Sequence, residues 1–397
     1  MPNHDSLRIV HISTVHPPFD QRIFHRECAS LSLSGYDTHL LAQHDHPLDQ
    51  VNGITLHSIG KVASPRLGLR AKQRLSRMWC ALTLALHLDA DLYHLHDLEL
   101  IPVGLVIKWK TGKCVIFDCH EDNVAYIWQK IYINKLIRKA MIFVIKVLEL
   151  LSSRVFDAII VADRGVADVF HCRYKAKCVK VIHNYPRLDL FLYSGEDAVA
   201  KQPFDLVYHG TIPRYHLEIM FNVAEALLQR GARARWLLFG SCPESAWAQD
   251  ELRRRGLADL FVIENRRIPH EQVAAHVRQA KVGIIPLPDL PKFQRNIPTK
   301  LFEYMALRMP VVLSDLPPSR PFVGDGKCAI MVPPNDYDAY ADAIIRLLGD
   351  PVLRQEMGRI GQQRVREWYN WDTEAKVLLG LYADLLGVSK NGPATHH

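Results

Sequence analysis

Phe204-Asp-Leu-Val-Tyr-His-Gly210 decides the fold, because it restarts a pattern that the chain has already run through once. The segment is a short, nearly continuous apolar run that ends on glycine. Parallel strands take this form when helices cover both faces of their sheet, since neither face then needs polar residues. Downstream the pattern repeats in RWLLFG (235–240), LFVIEN (260–265), VGIIPL (282–287) and PVVLSD (310–315), ending near CAIMVPP (328–334). Upstream stand LRIVHIS (7–13), THLLAQ (38–43), ITLHSI (54–59), LYHLH (92–96), CVIFD (114–118) and AIIVA (158–162). Helical stretches separate these runs, which is the spacing of successive βαβ units.

Between the two series lies a polar stretch without periodicity, Ser194 to Pro203, read as a linker. The chain is therefore expected to be α/β, with two facing Rossmann-like domains built on parallel sheets and a cleft between them: 1–193, 204–365, and a closing helix within 366–388. At 397 residues the length suits two domains of roughly 150 to 200 residues each. The closing helix is apolar at Val377, Leu378, Leu381 and Leu385 and needs a partner surface, for which the first domain is the candidate. Asp20 to Leu33 reads as a helix stopped by Gly35, and Leu301 to Leu307 as a helix started by the polar loop before it.

Hydrophobic residues make up 48% and charged residues 23%, ordinary values for a globular chain that exclude long disorder; only 389–397 reads as a loose tail. Met1 to Ser13 lacks the basic and apolar regions of a secretory signal, and Lys146 and Glu149 interrupt the best candidate span, 140–151. A cytoplasmic location is expected. The eight cysteines form no C-x-x-C pair and read as reduced thiols. Among 20 histidines, His94-Leu95-His96 invites a zinc reading, but no further Cys or His falls at ligand spacing along the chain, so no metal site is expected.

In open parallel sheets, ligands bind at the carboxyl ends of strands, where helix N-termini point as well. After the first strand, Ser13 to Asp20 forms a turn without G-x-G-x-x-G, which argues against a simple dehydrogenase. His96-Asp97 and His120-Glu121 follow two neighbouring strands and suit the binding of hydroxyl groups, although such histidines also satisfy local backbone groups. In the second series, Gly210-Thr211-Ile212-Pro213-Arg214 and Gly240-Ser241 would let backbone approach a phosphate, or would be plain β-to-α turns. The loop Arg295-Asn296-Ile297-Pro298-Thr299 feeding Lys300 to Glu303 is more specific. It combines free backbone N–H groups, a lysine for a diphosphate and a carboxylate for a ribose diol.

PTKLFEYMALRMPVVLSD (298–315) resembles the donor signature of the retaining family 4 glycosyltransferases, which have the GT-B fold. LYHLHDLELIP, FDCHE, VIHNYP, LVYHGT, GIIPL and Tyr369-Asn370-Trp371 stand in the order seen in that family. The resemblance implies transfer of a hexosyl group from a nucleotide sugar, without a metal or other cofactor, to a glycan or lipid-linked acceptor in surface polysaccharide assembly. It implies catalytic roles for His96, Lys300 and Arg214. Donor contacts would come from Gly210, Thr211, Gly240, Ile268, Asn296, Ile297, Pro298, Thr299 and Glu303, and acceptor contacts from Asp20, Asp97, His120 and Glu121. Two positions depart from the family: Arg295 stands where an acid is common, and Thr211 follows Gly210 where an arginine is common.

The net charge of +7 is clustered. Lys61 to Cys80 and Gln129 to Leu148 each carry several cations and no acid. On a helix over 129–148, Lys135, Lys139 and Lys146 fall within about 40° of one another, while Leu136, Ile137, Met141, Val144, Ile145 and Leu148 form an apolar side, with Tyr126, Trp128 and Tyr132 ahead of it. Such a helix suits the inner, anionic face of a membrane; packing of that side on the first sheet is the alternative. Nucleic acid is not expected as a partner, because the tracts lack interleaved aromatics. Two rival functions share the scaffold: a nucleotide-sugar epimerase, and a non-catalytic relative acting as a scaffold.

Overall fold

The computed structural model describes residues 6–44, 50–60, 67–120, 122–128, 130, 133–191 and 202–388, with backbone only for 67–71. Glu121, Gln129, Tyr132, Lys61, Arg66, the side chain of Arg70, most of the expected linker and the tail 389–397 lie outside the described residues. The chain divides into two compact units, one made of Met1–Asn184 with Glu374–His397, the other of Tyr185–Thr373.

The first unit is an eight-stranded sheet: β1 (Arg8–Ile12), β2 (Asp37–Ala42), β3 (Gln50–Val51), β4 (Ile54–Ser58), β5 (Leu92–Leu95), β6 (Cys114–Cys119), β7 (Ala158–Val161) and β8 (Val179–Val181). Its order is β3-β4-β2-β1-β5-β6-β7-β8. The expectation of parallel sheets needs one correction, because β3 runs antiparallel to β4. Asn52 and Gly53, both at positive φ, make the two-residue hairpin that joins them, a turn that needs residues tolerant of that conformation.

Alternation along the central strands gives the sheet two unlike faces. Val10, Ile12, Tyr93, Leu95, Val115 and Phe117 build an apolar core on one face. On the other, parallel pairing sets His11 opposite His94, and His96 and Asp118 continue that face because side chains alternate with period two. The expected helix Asp20–Leu33 is interrupted here. Ile23–Cys28 is a π-type turn and only Ala29–Leu33 is α-helical. The wider turn shows in the bonds His25 N to Asp20 O and Glu27 N to Arg22 O, and it leaves Arg22, Arg26 and Glu27 all buried. The helix Trp371–Leu386 closes the same face from Glu374 onward. Leu378, Leu381 and Tyr382 are buried, whereas Val377 is exposed.

The helix Lys135–Val155 packs through Ile142, Ile145, Glu149, Ser152 and Ser153. Ile145 therefore faces inward, not onto the outer apolar side. The positions Leu136, Ile137, Met141, Phe143, Val144, Val147, Leu150 and Leu151 are exposed, Leu136 at 76% and Phe143 at 69%. At about 100° per residue they sweep about 180° of the helix, with Lys135, Lys139 and Lys146 along one edge. Tyr126 and Trp128, on the short helix before it, are exposed too. Among the described residues no helix is long and apolar enough to cross a membrane.

The second unit is a six-stranded parallel sheet in the order β11-β10-β9-β12-β13-β14. The strands are β9 (Phe204–Thr211), β10 (Trp236–Ser241), β11 (Phe261–Glu264), β12 (Ala280–Ile285), β13 (Val311–Ser314) and β14 (Ala329–Val332). Here both faces are apolar. Leu206, Trp236, Leu238 and Val282 serve one core, and Val207, Leu237, Phe239 and Ile285 the other.

Candidate functional site

In the second unit the carboxyl ends of β9 and β10 meet at Gly210 and Gly240, which are partners in register. Gly240 has φ 128°, and a Cβ there would overlap the Gly210 carbonyl; glycine is required by strand packing before any ligand is considered. Gly210 has φ 98°, and a Cβ on it would stand 3.2 Å from Lys300 Cε and 3.3 Å from Nζ. The bare backbone thus leaves the space that the Lys300 amine occupies. That amine also lies 4.9 Å from the Tyr208 ring centroid.

Lys300 begins the seven-residue helix Lys300–Ala306. Burial lowers its pKa, partly offset by Glu303, because desolvation disfavours the charged form. Among the described residues Lys300 makes no ion pair. The acid of its own helix, Glu303, is buried and stands 3.1 Å from His209 Nε2. Just before the helix, Asn296 Oδ1 is a buried acceptor with no hydrogen-bond partner among the described residues. Ile297, Pro298, Thr299 and Ile268 are half-buried around this loop-and-strand end, and Thr211 is exposed. Arg214 is placed differently: its Nε donates to Glu218 at 2.9 Å and its guanidinium lies over the Trp247 ring at 4.2 Å. Its charge is already matched, whereas that of Lys300 is not.

In the first unit the expected residues converge on a buried polar layer. His96 Nε2 lies 2.9 Å from His11 Nδ1, and His96 Nδ1 approaches Asp118 Oδ2 at 3.4 Å. Burial holds His96 neutral, with its pKa lowered to about 4. Asp118 is fully buried and is gripped by Arg22, Nε at 2.7 Å and Nη2 at 3.0 Å. That pairing, with His120, holds its carboxyl well below the ordinary range despite desolvation. His120 Nε2 reaches the same carboxylate at 3.1 Å and retains 20% side-chain exposure, making it the member nearest to solvent.

Asp97 and Asp20 are committed to the backbone. Asp97 Oδ2 accepts from Thr14 N at 2.6 Å, Ser13 Oγ at 2.9 Å and Val15 N at 3.2 Å, so it shapes the turn after β1. Asp20 Oδ1 accepts from Arg22 N and Ile23 N, while its other oxygen lies 3.4 Å from His16. His16 gains charge from Asp20 and Asp97, which raise its pKa against its own burial. Sequence reading missed Arg22, Glu27, His11, Asp118, Tyr382 and His209. The available signals were the alternation H-x-H in β5, which puts both rings on one face, and the single histidine in an otherwise apolar β1.

Known proteins resemble the chain in sequence and in fold. Residues 203–350 match the family model described as glycosyl transferases group 1. The alpha-D-kanosaminyltransferase of Streptomyces kanamyceticus is 25% identical over 169 residues, 43% of this chain and 42% of that protein. The phosphatidyl-myo-inositol mannosyltransferase of Mycobacterium leprae is 39% identical over 82 residues, 21% of this chain and 22% of that protein. The aligned stretch thus spans less than half the length of either relative. Among solved structures, sucrose-phosphate synthase from Thermosynechococcus elongatus superposes with TM-score 0.77 at 19% identity, covering 96% of this chain and all of that one. Anabaena HepE in complex with UDP-glucose gives TM-score 0.69 at 13% identity over 95% of this chain and all of that one. The chain has the GT-B fold, and its residues 203–350 are similar to the glycosyl transferases group 1 family.

Proposed function

We propose that this chain is a retaining glycosyltransferase that moves a hexosyl group from a nucleotide diphosphate sugar to a glycan or lipid-linked acceptor. One observation carries the reading: Lys300 lies against the bare backbone of Gly210, with no counter-ion among the described residues. As the glycosidic bond stretches, negative charge grows on the leaving diphosphate, and a cation already in place stabilises that charge without reorganising. An incoming diphosphate would also favour the charged form that burial disfavours. The Glu303 carboxylate, beside His209, would take the ribose hydroxyls, and the backbone from Asn296 to Thr299 would lie along the sugar and phosphate. His96, fully buried, neutral and backed by Asp118, would position His120, which shares that carboxylate and is the member of the layer nearest to solvent, for an acceptor hydroxyl. No divalent ion is needed for the transfer step on this reading. Neighbours of the same fold solved with UDP and UDP-glucose support a sugar-nucleotide donor.

The acceptor side is read from the helix Lys135–Val155. An apolar arc edged by three lysines suits the cytoplasmic surface of an anionic bilayer, where each basic residue adds about 1 kcal/mol. A relative named for mannosyl transfer to phosphatidyl-myo-inositol supports a lipid acceptor.

A thermal-shift screen over UDP-, GDP-, ADP- and TDP-sugars tests the donor, since a ligand that binds the native state raises its stability. One class should raise the melting temperature, and Glu303→Ala should abolish the rise. No shift with any sugar nucleotide would refute the reading. Vesicle flotation tests the surface: binding to anionic but not neutral vesicles is expected, weakened by Phe143→Asp. Equal absence of binding to both would remove the membrane from the proposal.

A further inference from the structure

We propose that His11, Glu27, His94 and His96 form a buried structural site for a tetrahedral divalent transition metal, with zinc as the ion whose ligand preferences fit this set. The inference concerns the first unit and does not rest on the transferase reading. Along the chain the site is invisible, because strand pairing and the π-type turn bring its members together. His11 and His94 are register partners on β1 and β5, His96 follows on the same face, and Glu27 descends from the turn packed above.

The donor atoms all lie within 4.8 Å of one another. His11 Nδ1 is 2.9 Å from His96 Nε2. Glu27 Oε2 stands 3.8 Å from His94 Nδ1, 3.8 Å from His96 Nε2 and 4.0 Å from His11 Nδ1. Zinc bonds of about 2.0 to 2.1 Å in a tetrahedron give donor separations of about 3.3 Å, so these distances bracket the required edge. Glu27 must close by roughly half an ångström to reach that edge, and His94, whose donor atom lies within 4.8 Å of the others, must settle with it.

Three further observations point to an ion. First, Glu27 Oε2 is buried without a hydrogen-bond partner of good geometry among the described residues; Oε1 has Arg22 Nε at 3.0 Å, and burial together with the nearby Asp118 raises the pKa of the carboxyl against the pull of Arg22. An under-satisfied buried carboxylate is costly, and a cation at Oε2 would relieve it. Second, supporting groups stand where metal-bound imidazoles need them. His96 turns its other nitrogen to Asp118 at 3.4 Å, and His11 turns Nε2 to the Tyr382 hydroxyl at 3.3 Å. Third, all four side chains are sealed from solvent, as in closed structural sites and unlike catalytic ones that keep an open position. The competing arrangement is metal-free: the Tyr382 hydroxyl and His94 Nδ1 share a hydrogen bond at 2.7 Å, and the layer is held by hydrogen bonds alone. A second triple, His96, Asp118 and His120, suits an ion less well, because Asp118 is already neutralised by Arg22.

The test uses the full chain, without a histidine tag, produced in zinc-supplemented medium and desalted. Plasma mass spectrometry should find close to one zinc per chain. Chelation should lower the melting temperature by several degrees, and cobalt reloading should give the intense visible bands of a tetrahedral site. His94→Ala and Glu27→Gln should each cut the metal content at least tenfold, while His120→Ala should keep it. Less than a tenth of an equivalent in the unmodified chain, with no cobalt bands on reloading, overturns the proposal without reference to any variant. Full retention in both His94→Ala and Glu27→Gln, or loss only in His120→Ala, overturns this ligand set.

Discussion

The two sheets share a parallel architecture yet spend their buried faces differently. The second unit is apolar on both sides of its sheet and places Lys300, which makes no ion pair among the described residues, at its strand ends. The first unit is apolar throughout one side; on the other, an apolar cluster of Ile23, Phe24, Leu40, Ile54 and Leu56 gives way at the central strands to His11, His94, His96, Glu27, Arg22 and Asp118. In the second unit the charge is poorly solvated and waiting for a partner. In the first, the Asp118 charge is deeply buried but already paired with Arg22. Removing a cation should therefore have opposite consequences in the two units.

The largest effect is expected for Arg22→Met, which leaves Asp118 and Glu27 buried without their cation. Loss of one partner of a buried pair costs about 3–5 kcal/mol, to be read from urea unfolding. A loss below about 1 kcal/mol would break the contrast. Lys300→Met should instead cut turnover on the order of a hundredfold, about 3 kcal/mol in the barrier. It should leave the unfolding midpoint unchanged or higher, because an under-solvated charge is gone; a large loss of stability would make Lys300 structural.

Acid should sharpen the difference further. His96 has its folded pKa lowered to about 4, and His11 and His94 are also lowered well below the ordinary value. The unfolded chain therefore binds protons near pH 6.5 that the folded layer refuses. The stability this gives is fully present above about pH 6.5 and is lost as the pH falls toward 4, by up to about 3 kcal/mol for His96. Hydrogen exchange on chelated protein at pH 7 and pH 5 should show β1 and β5 losing protection before β9 and β10; the reverse order would refute this. The smallest effect is expected for Gly240→Ala. The residue would be strained at φ 128° and pressed on the Gly210 carbonyl, costing about 1–3 kcal/mol, with weaker donor binding in the thermal-shift assay. Unchanged stability would show that the strand ends yield.

How far the molecule is legible from its sequence follows from the same contrast. Apart from β3 and the three-residue β8, the strands of both sheets are local apolar runs and can be read directly. Two-residue β3 is too short to leave a periodic trace. The loop from Asn296 to Glu303 is contiguous, so its polar groups are visible together. The histidine layer is not, because His11, Glu27 and His94 become neighbours only through parallel pairing and a turn with an extra residue. The helix Lys135–Val155 is apolar nearly all round, and periodicity cannot say which arc packs; Ile142 and Ile145 go inward while Phe143 and Val144 do not.

Tyr382 touches both His94 and His11 from a segment that is translated only after the whole second unit. During synthesis the histidine layer must therefore wait, roofless, while a complete neighbour is made. A fragment ending at Asn184 would carry the same strands yet lack the hydroxyl that caps them, so of the two units the one whose strands are made earlier is the one finished later.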